Sequence, residues 1–225
     1  NSKKSSKTSG SQDCSRYIKE GMTIGLGSGT TSHYLIQEAG KKYAEGLHFY
    51  GIATSRESEQ LAASLGIPLL QPEQTGKIHL AIDGVDEIDK DFRAVKGGGG
   101  ALLREKIIAS WAEEVIWIMD ESKLVERLGT FPFPVEQFLL ECPLSNKKLQ
   151  IWGSAGPAYA GRQTLSDRQR QYILDIKFSQ DTDISPAAER IHNMPGVVET
   201  GYFGQMCSRI VVGTESGVKV MENPI

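Results

Sequence analysis

Apolar positions along this chain come in short runs divided by polar stretches of helical spacing, and several runs stop at a glycine or an acid. Met22-Thr23-Ile24-Gly25-Leu26 reads as a strand running into a glycine turn, and Thr30 to Ala39 as the helix after it. His48 to Ala53 predicts a second strand. Ser55 to Leu65 predicts a helix closed by Gly66, with a capping box over Thr54-Ser55-Arg56-Glu57. Ile67 to Leu70 predicts a short third strand, and Ile78 to Ile82 a fourth that ends at Asp83. Phe92 to Lys96 leads into four glycines, and Ala101 to Glu113 has helical periodicity. Val115 to Met119 is a further apolar strand, followed by a helix through Lys123 and Val125. Strands alternating with helices predict an α/β fold, with a mainly parallel sheet covered on both faces.

Phe131-Pro132-Phe133-Pro134-Val135 cannot continue a helix and predicts a boundary. Beyond it, Tyr172 to Phe178 reads as a strand. Ser185 then reads as the cap of a helix with Pro186 at its first position and Gly196 past its end. The expected organisation is therefore a large domain over 1–131 and 206–225 and a small α+β domain over 132–205. Ile210-Val211-Val212 and Val218-Lys219-Val220 are expected to return to the first sheet. Asn1 to Asp13, rich in Ser, Lys and Thr, reads as a poorly ordered arm.

Composition narrows the function classes. The 225 residues are 39% hydrophobic and 24% charged, as in an ordinary soluble enzyme. A formal net charge of −3 argues against a nucleic-acid partner, which binds to concentrated Lys/Arg surfaces. No apolar run approaches the ~20 residues that span a bilayer. Cys14, Cys142 and Cys207 are odd in number and far apart, which favours a reducing, cytoplasmic setting over a disulfide framework. His33, His48, His79 and His192 stand at no metal-ligand spacing, so no metal site is expected.

Four segments carry candidate chemistry. In Gly25-Leu26-Gly27-Ser28-Gly29-Thr30-Thr31, glycines after a strand admit an anion to the backbone, and the following helix start offers N–H groups. A tight strand-to-helix turn alone accounts for this segment equally well. It is neither the dinucleotide fingerprint nor a lysine-bearing phosphate loop. Asp83-Gly84-Val85-Asp86 follows an apolar strand, whose carboxyl end faces the ligand crevice of an open parallel sheet; an Asp-Gly turn with solvated acids is the plain alternative. Glu87 and Asp89 read as surface residues.

Lys96-Gly97-Gly98-Gly99-Gly100 is entropically costly, and close backbone approach to a ligand explains it better than packing. On the helix that follows, Glu105 projects beside Ala101, Ile108, Ala109 and Ala112, with Arg104 and Lys106 at its sides. A carboxylate on a buried apolar stripe suits a general base. An ordinary surface ion pair remains the alternative. Asp120-Glu121-Ser122-Lys123 again follows an apolar strand, and Lys123 is either a phosphate contact or an exposed lysine.

Taken together, these segments resemble the ribose-5-phosphate isomerase A family. The resemblance runs from about Tyr17 to Val135 and resumes at Met194-Pro195-Gly196-Val197-Val198-Glu199 and Gly213-Thr214-Glu215-Ser216-Gly217-Val218-Lys219. Its most specific parts are the Asp83-Gly-Val-Asp86-Glu and Lys96-Gly-Gly-Gly-Gly-Ala-Leu-Leu-Arg-Glu105-Lys106 motifs, in this order. It implies cofactor-free interconversion of ribose 5-phosphate and ribulose 5-phosphate in the pentose phosphate pathway. It also implies a Rossmann-like large domain, a smaller α+β domain, and a homodimer or homotetramer. By position it makes Glu105 the proton acceptor. Ser28, Gly29, Thr30 and Thr31, Asp83 to Asp86, and Lys96, Gly97, Gly98 and Gly99 become the substrate loops, and Lys123 a further contact. Ser28 stands where the family often has Thr. The arm before Cys14 is more polar than the family's first helix, with Lys7 the nearest counterpart of its N-terminal phosphate lysine. The stretch from Cys142 to Arg162 departs most.

The chemistry agrees with the residues present. Aldose–ketose isomerisation takes a proton from carbon 2, passes through an enediolate and returns a proton to carbon 1. Glu105 supplies the base, Asp83 and Asp86 the acids, and Lys96 with the glycine turn the oxyanion partner. A sugar-phosphate-sensing module of the same fold would need a helix-turn-helix and a basic face, and neither is legible. An amino-sugar phosphate deaminase would need a catalytic histidine, and none lies in these motifs.

Overall fold

The computed structural model of the chain describes residues 2–138, 153–159 and 171–224. It divides into two compact units, one of residues 1–85, 104–124 and 206–225, the other of 86–103 and 125–205.

The first unit is built on a six-stranded sheet. Its strands are β1 (Thr23–Leu26), β2 (Tyr50–Ala53), β3 (Ile78–Gly84), β6 (Ala112–Asp120), β12 (Arg209–Thr214) and β13 (Gly217–Glu222). Their order is β13-β12-β6-β3-β1-β2. Every pair is parallel except the terminal β12–β13 hairpin. The expected return of residues 210–212 and 218–220 to this sheet is met. The central strands are apolar without alternation because helices cover both faces. Ile24, Leu26, Leu80, Ile82, Ile116, Ile118 and Val211 form one buried cluster with Leu35 and Ile36 of helix α2 (Gly29–Ala44).

Several local expectations need correction. Asn1 to Asp13 is not an unstructured arm: Ser2–Ser15 is helix α1. Small residues dock it, since a Cβ on Gly10 would lie 3.6 Å from the Gly213 nitrogen, and Ser11 Oγ donates to the Thr31 carbonyl at 3.1 Å. Cys14 is buried in the core. Helix α3 (Arg56–Ser64) is capped by Ser55, whose side chain accepts from the Ser58 N–H, one residue later than the capping box predicts. Residues 67–70 make only an isolated bridge, Gly51 to Leu69. The helix expected through Val125 is a single 3₁₀ turn, Glu121–Lys123, capped by Asp120.

The second unit holds two antiparallel sheets. One, in the order β10-β7-β9-β8, joins β7 (Phe133–Phe138), β8 (Gly153–Tyr159), β9 (Gln171–Phe178) and β10 (Val197–Thr200). The other joins β4 (Glu87–Ile88), β5 (Ala94–Val95) and β11 (Tyr202–Gly204) in the order β11-β5-β4. Helix α5 (Ile184–His192) is capped by Asp183, not Ser185: the Asp183 side chain accepts from the Ser185 N–H at 3.2 Å. The alternation along β7 sorts its side chains. Phe133 and Val135 enter a core with Leu174, Ile176, Ile184, Ala188 and Ile191, while Pro134 and Glu136 take the other face. Residues 142–152 and 160–162 of the divergent stretch lie outside the described residues.

Candidate active site

In the first unit the candidate residues gather at the carboxyl ends of β1 and β3. Parallel register places Leu26 beside Ile82, so Gly27 lies level with Asp83. Asp83 is buried, and its Oδ1 accepts three donors: the Ser28 N–H at 3.0 Å, the Ser32 hydroxyl at 3.1 Å and its neighbour Gly84 N–H at 2.7 Å. Gly27 is glycine for want of room, because a Cβ there would sit 2.1 Å from Asp83 Oδ1 and 2.6 Å from Asp83 Cα. Ser28 Oγ meets Thr54 Oγ1 at 2.6 Å, and Ser58 Oγ donates to the Gly27 carbonyl at 2.6 Å.

The loop therefore enters α2 fixed from several sides. Ser28 is the N-cap residue in extended conformation, and Gly29, Thr30 and Thr31 form the first turn. That first turn directs backbone N–H groups outward, as anion sites do. A cavity of about 430 Å³ between α2 and α3 borders this turn at Gly29 and Thr30, with His33, Tyr34 and Ser58 also in its wall. Asp83 and Glu105 are not among its lining residues.

Glu105 lies in the first turn of helix α4 (Leu102–Trp111) and is only 6% exposed. Ile108 and Ala109, on the same stripe, are buried too, so the apolar setting expected for this carboxylate is present. Arg104 is held away from a surface pairing, with Nε donating to the Ala53 carbonyl at 2.8 Å. Lys123 ends the 3₁₀ turn after β6 and is partly exposed.

The second unit contributes Asp86 and the glycine loop. Asp86 Oδ2 accepts the Gly98 N–H at 3.0 Å, and the Asp86 N–H donates to the Val95 carbonyl at 2.9 Å. A Cβ on Gly98 would stand 2.6 Å from the Phe131 ring and 3.1 Å from Asp86 Oδ2. Gly97 has φ of +96°, which L-residues rarely adopt. Packing and conformation thus explain Gly97 and Gly98, contrary to the expectation that packing is the weaker explanation. A Cβ on Gly99 would meet nothing within 4 Å, so neither packing nor a positive φ explains this glycine. Lys96 is buried, with its Nζ 5.3 Å from the centroid of Phe203 and its N–H donating to Gly201.

Some residues escaped the sequence reading. Glu87 and Asp89 are 3% and 1% exposed and are not surface acids. Glu87 accepts from the N–H groups of Gly129 and Phe131, and Asp89 from those of Asp91 and Arg93 and from the Arg93 guanidinium. Ser32, Thr54 and Ser58 brace the first loop: the pairing of β3 with β1 reveals the first, and the placement of β2 and α3 the other two. Glu136 also went unread. Burial pushes its carboxyl up to about 7, against the Leu103 N–H that favours its charge and with the Glu199 charge adding to the rise. Burial and the charge of Asp86 likewise raise Asp175.

Among the described residues, no helix is long and apolar enough to cross a membrane, and no three His, Cys, Asp or Glu side chains cluster as metal ligands.

Comparison with known proteins identifies the family. The sequence profile for ribose 5-phosphate isomerase A (phosphoriboisomerase A) matches residues 50–217. Ribose-5-phosphate isomerase A of Streptococcus agalactiae is 38% identical over 212 residues, 92% of this chain and 94% of that protein. The structure of ribose 5-phosphate isomerase A from Methanocaldococcus jannaschii superposes with a TM-score of 0.89 at 34% identity, covering 98% of this chain and all of that one. A D-ribose-5-phosphate isomerase in complex with phospho-erythronic acid superposes with a TM-score of 0.91 at 32% identity, over 99% of both chains. The chain belongs to the ribose 5-phosphate isomerase A family.

Proposed function

We propose that this chain is an aldose–ketose isomerase that interconverts D-ribose 5-phosphate and D-ribulose 5-phosphate through an enediolate. The observation that carries the reading is Glu105, a nearly inaccessible carboxylate in the first turn of the helix that directly follows the glycine loop. The relative that holds phospho-erythronic acid, a phosphorylated sugar acid, supports the substrate class.

Glu105 takes the proton from carbon 2 and delivers one to carbon 1. Its apolar surroundings leave it poorly solvated, which suits a base acting on a weakly acidic C–H bond. Lys96 stabilises the developing oxyanion, together with N–H groups of the loop through Gly99. Asp86 and Asp83 exchange protons with the sugar oxygens during ring opening and enediolate formation. The turn from Ser28 to Thr31 and Lys123 take the phosphate, which is distant from the reacting carbons.

Only protons move, so the reaction requires no redox cofactor. We extend the reading to a cytoplasmic homodimer or homotetramer working in the non-oxidative branch of the pentose phosphate pathway. Absorbance-monitored ketose formation from ribose 5-phosphate, before and after exhaustive chelation, tests the core of the reading. Full activity in both samples is expected. An inactive protein would end it, and activity lost on chelation and restored by a divalent ion would end its metal-free part.

A further inference from the structure

In the small sheet, β7 carries Glu136 on the face turned away from the apolar core, and the acid is 3% exposed. Its Oε2 accepts the backbone N–H of Leu103 at 3.2 Å. Leu103 is the second residue of α4 and stands two positions before Glu105. An N–H in the first turn of a helix has no carbonyl partner of its own, and a carboxylate there also complements the positive helix end. Glu136 is therefore the side chain that grips the start of the helix bearing the proposed base.

The surroundings of Glu136 make that grip titratable. On one side, β10 places Glu199 opposite it; on the other, β9 places Ile173 opposite it and Asp175 two pairs along on the same face. Glu199 Oε1 accepts the Thr200 N–H at 2.8 Å and lies 3.3 Å from His192 Nδ1. The carboxyl thus meets the like charge of Glu199, itself beside His192, and the backbone N–H of Leu103.

We propose that Glu136 is a positioning residue for the isomerase reaction: its ionised carboxylate holds the first turn of α4, and taking up a proton loosens that hold. The proposal rests on the isomerase reading only through kcat. A charge-assisted hydrogen bond is roughly twice as strong as a neutral one, so the grip strengthens as the proton leaves. Burial has moved that event up to about pH 7.

The test compares wild type, Glu136→Gln and Glu199→Gln as full chains. Glutamine keeps the acceptor and the shape but cannot ionise. In wild type, the backbone amide resonance of Leu103 is expected to titrate near pH 7, and kcat for ribose 5-phosphate to rise through the same midpoint. In Glu136→Gln both inflections vanish, and at pH 8 kcat stays at the wild-type acid limb, roughly three- to tenfold below wild type, with KM unchanged. Glu199→Gln removes the like charge and moves both midpoints to lower pH. A Leu103 amide that does not titrate, or kcat profiles that superimpose for wild type and Glu136→Gln, would overturn the proposal. An unmoved midpoint in Glu199→Gln would overturn it as well. If Glu136→Gln does not fold, the wild-type titration and Glu199→Gln still decide. A protein that fails to turn over ribose 5-phosphate defeats the isomerase reading alone, since the amide titration is independent of activity.

Discussion

Oδ1 of Asp83 accepts the backbone N–H of Ser28 at 3.0 Å, which ties the end of β3 to the loop that leaves β1. The same oxygen takes the Ser32 hydroxyl from the first turns of α2. One buried carboxylate therefore sets the entry of the chain into the helix whose N-terminus is the proposed phosphate site. The loop passes so close to this acid that the residue between β1 and Ser28 has no space for a side chain.

Gly27→Ala tests that closeness. Its new methyl would overlap backbone and side-chain atoms of Asp83, and backbone cannot swing aside as a flexible side-chain end can. Overpacking of this kind costs roughly 1–3 kcal/mol. We expect a Tm lower by several degrees and kcat/KM for ribose 5-phosphate reduced at least about tenfold, because the loop itself must shift. A variant with wild-type kcat/KM would show that the loop geometry does not matter to the substrate.

The two lysines should separate in kinetics. Lys123→Ala is expected mainly to raise KM, because the phosphate is held alike in ground and transition states. Lys96→Ala is expected to lower kcat by roughly 10²–10³-fold, as the loss of an oxyanion partner does. Steady-state measurements on both variants check the division, and a reversed pattern would mean that the roles are exchanged.

Stability should fall as the pH rises across the neutral range. The proton on Glu136 is released at about 7 in the folded chain, against an ordinary value of 4.5. Between these values the unfolded chain has lost that proton and the folded chain has kept it. The stabilising contribution is therefore complete below about pH 4.5 and is lost as the pH rises through about 7. The full swing is at most about 3 kcal/mol, and raised Asp175 adds to it in the same direction. Denaturant titrations of wild type and Glu136→Gln between pH 5 and 8 check this: the wild-type slope should be the steeper. Equal slopes would show that the burial of Glu136 leaves its proton affinity unchanged. Stability and kcat are thus expected to move in opposite directions across pH 7.

The parallel sheet was legible because β1, β3, β6 and β12 are covered on both faces and read as unbroken apolar runs. The burial of Glu105 was legible for the opposite reason, a lone carboxylate on an apolar helical stripe. Helix α1 was not, because nothing in Ser-Lys-Lys-Ser-Ser-Lys-Thr-Ser has an apolar stripe. It docks through the smallness of Gly10 and Ser11 and the burial of Cys14. Glu87 and Asp89 were misread as solvated because their burial depends on N–H partners that only the folded chain supplies; those of Glu87 lie more than 40 residues away. Glu136 went unread for the same physical reason, its partner lying 33 residues upstream at Leu103. The glycine loop was half legible: its unusual conformation could be read from composition, but the part played by the Phe131 ring could not.

The central claim is that Glu105 moves the proton, and Glu105→Gln tests it most directly. Glutamine keeps the size and hydrogen-bonding capacity of the side chain and removes only its basicity. The account predicts that kcat for ribose 5-phosphate falls by at least roughly 10²–10⁴-fold while substrate affinity is nearly unchanged. A variant that kept more than about a tenth of the wild-type kcat would contradict it, because general-base catalysis contributes far more than that.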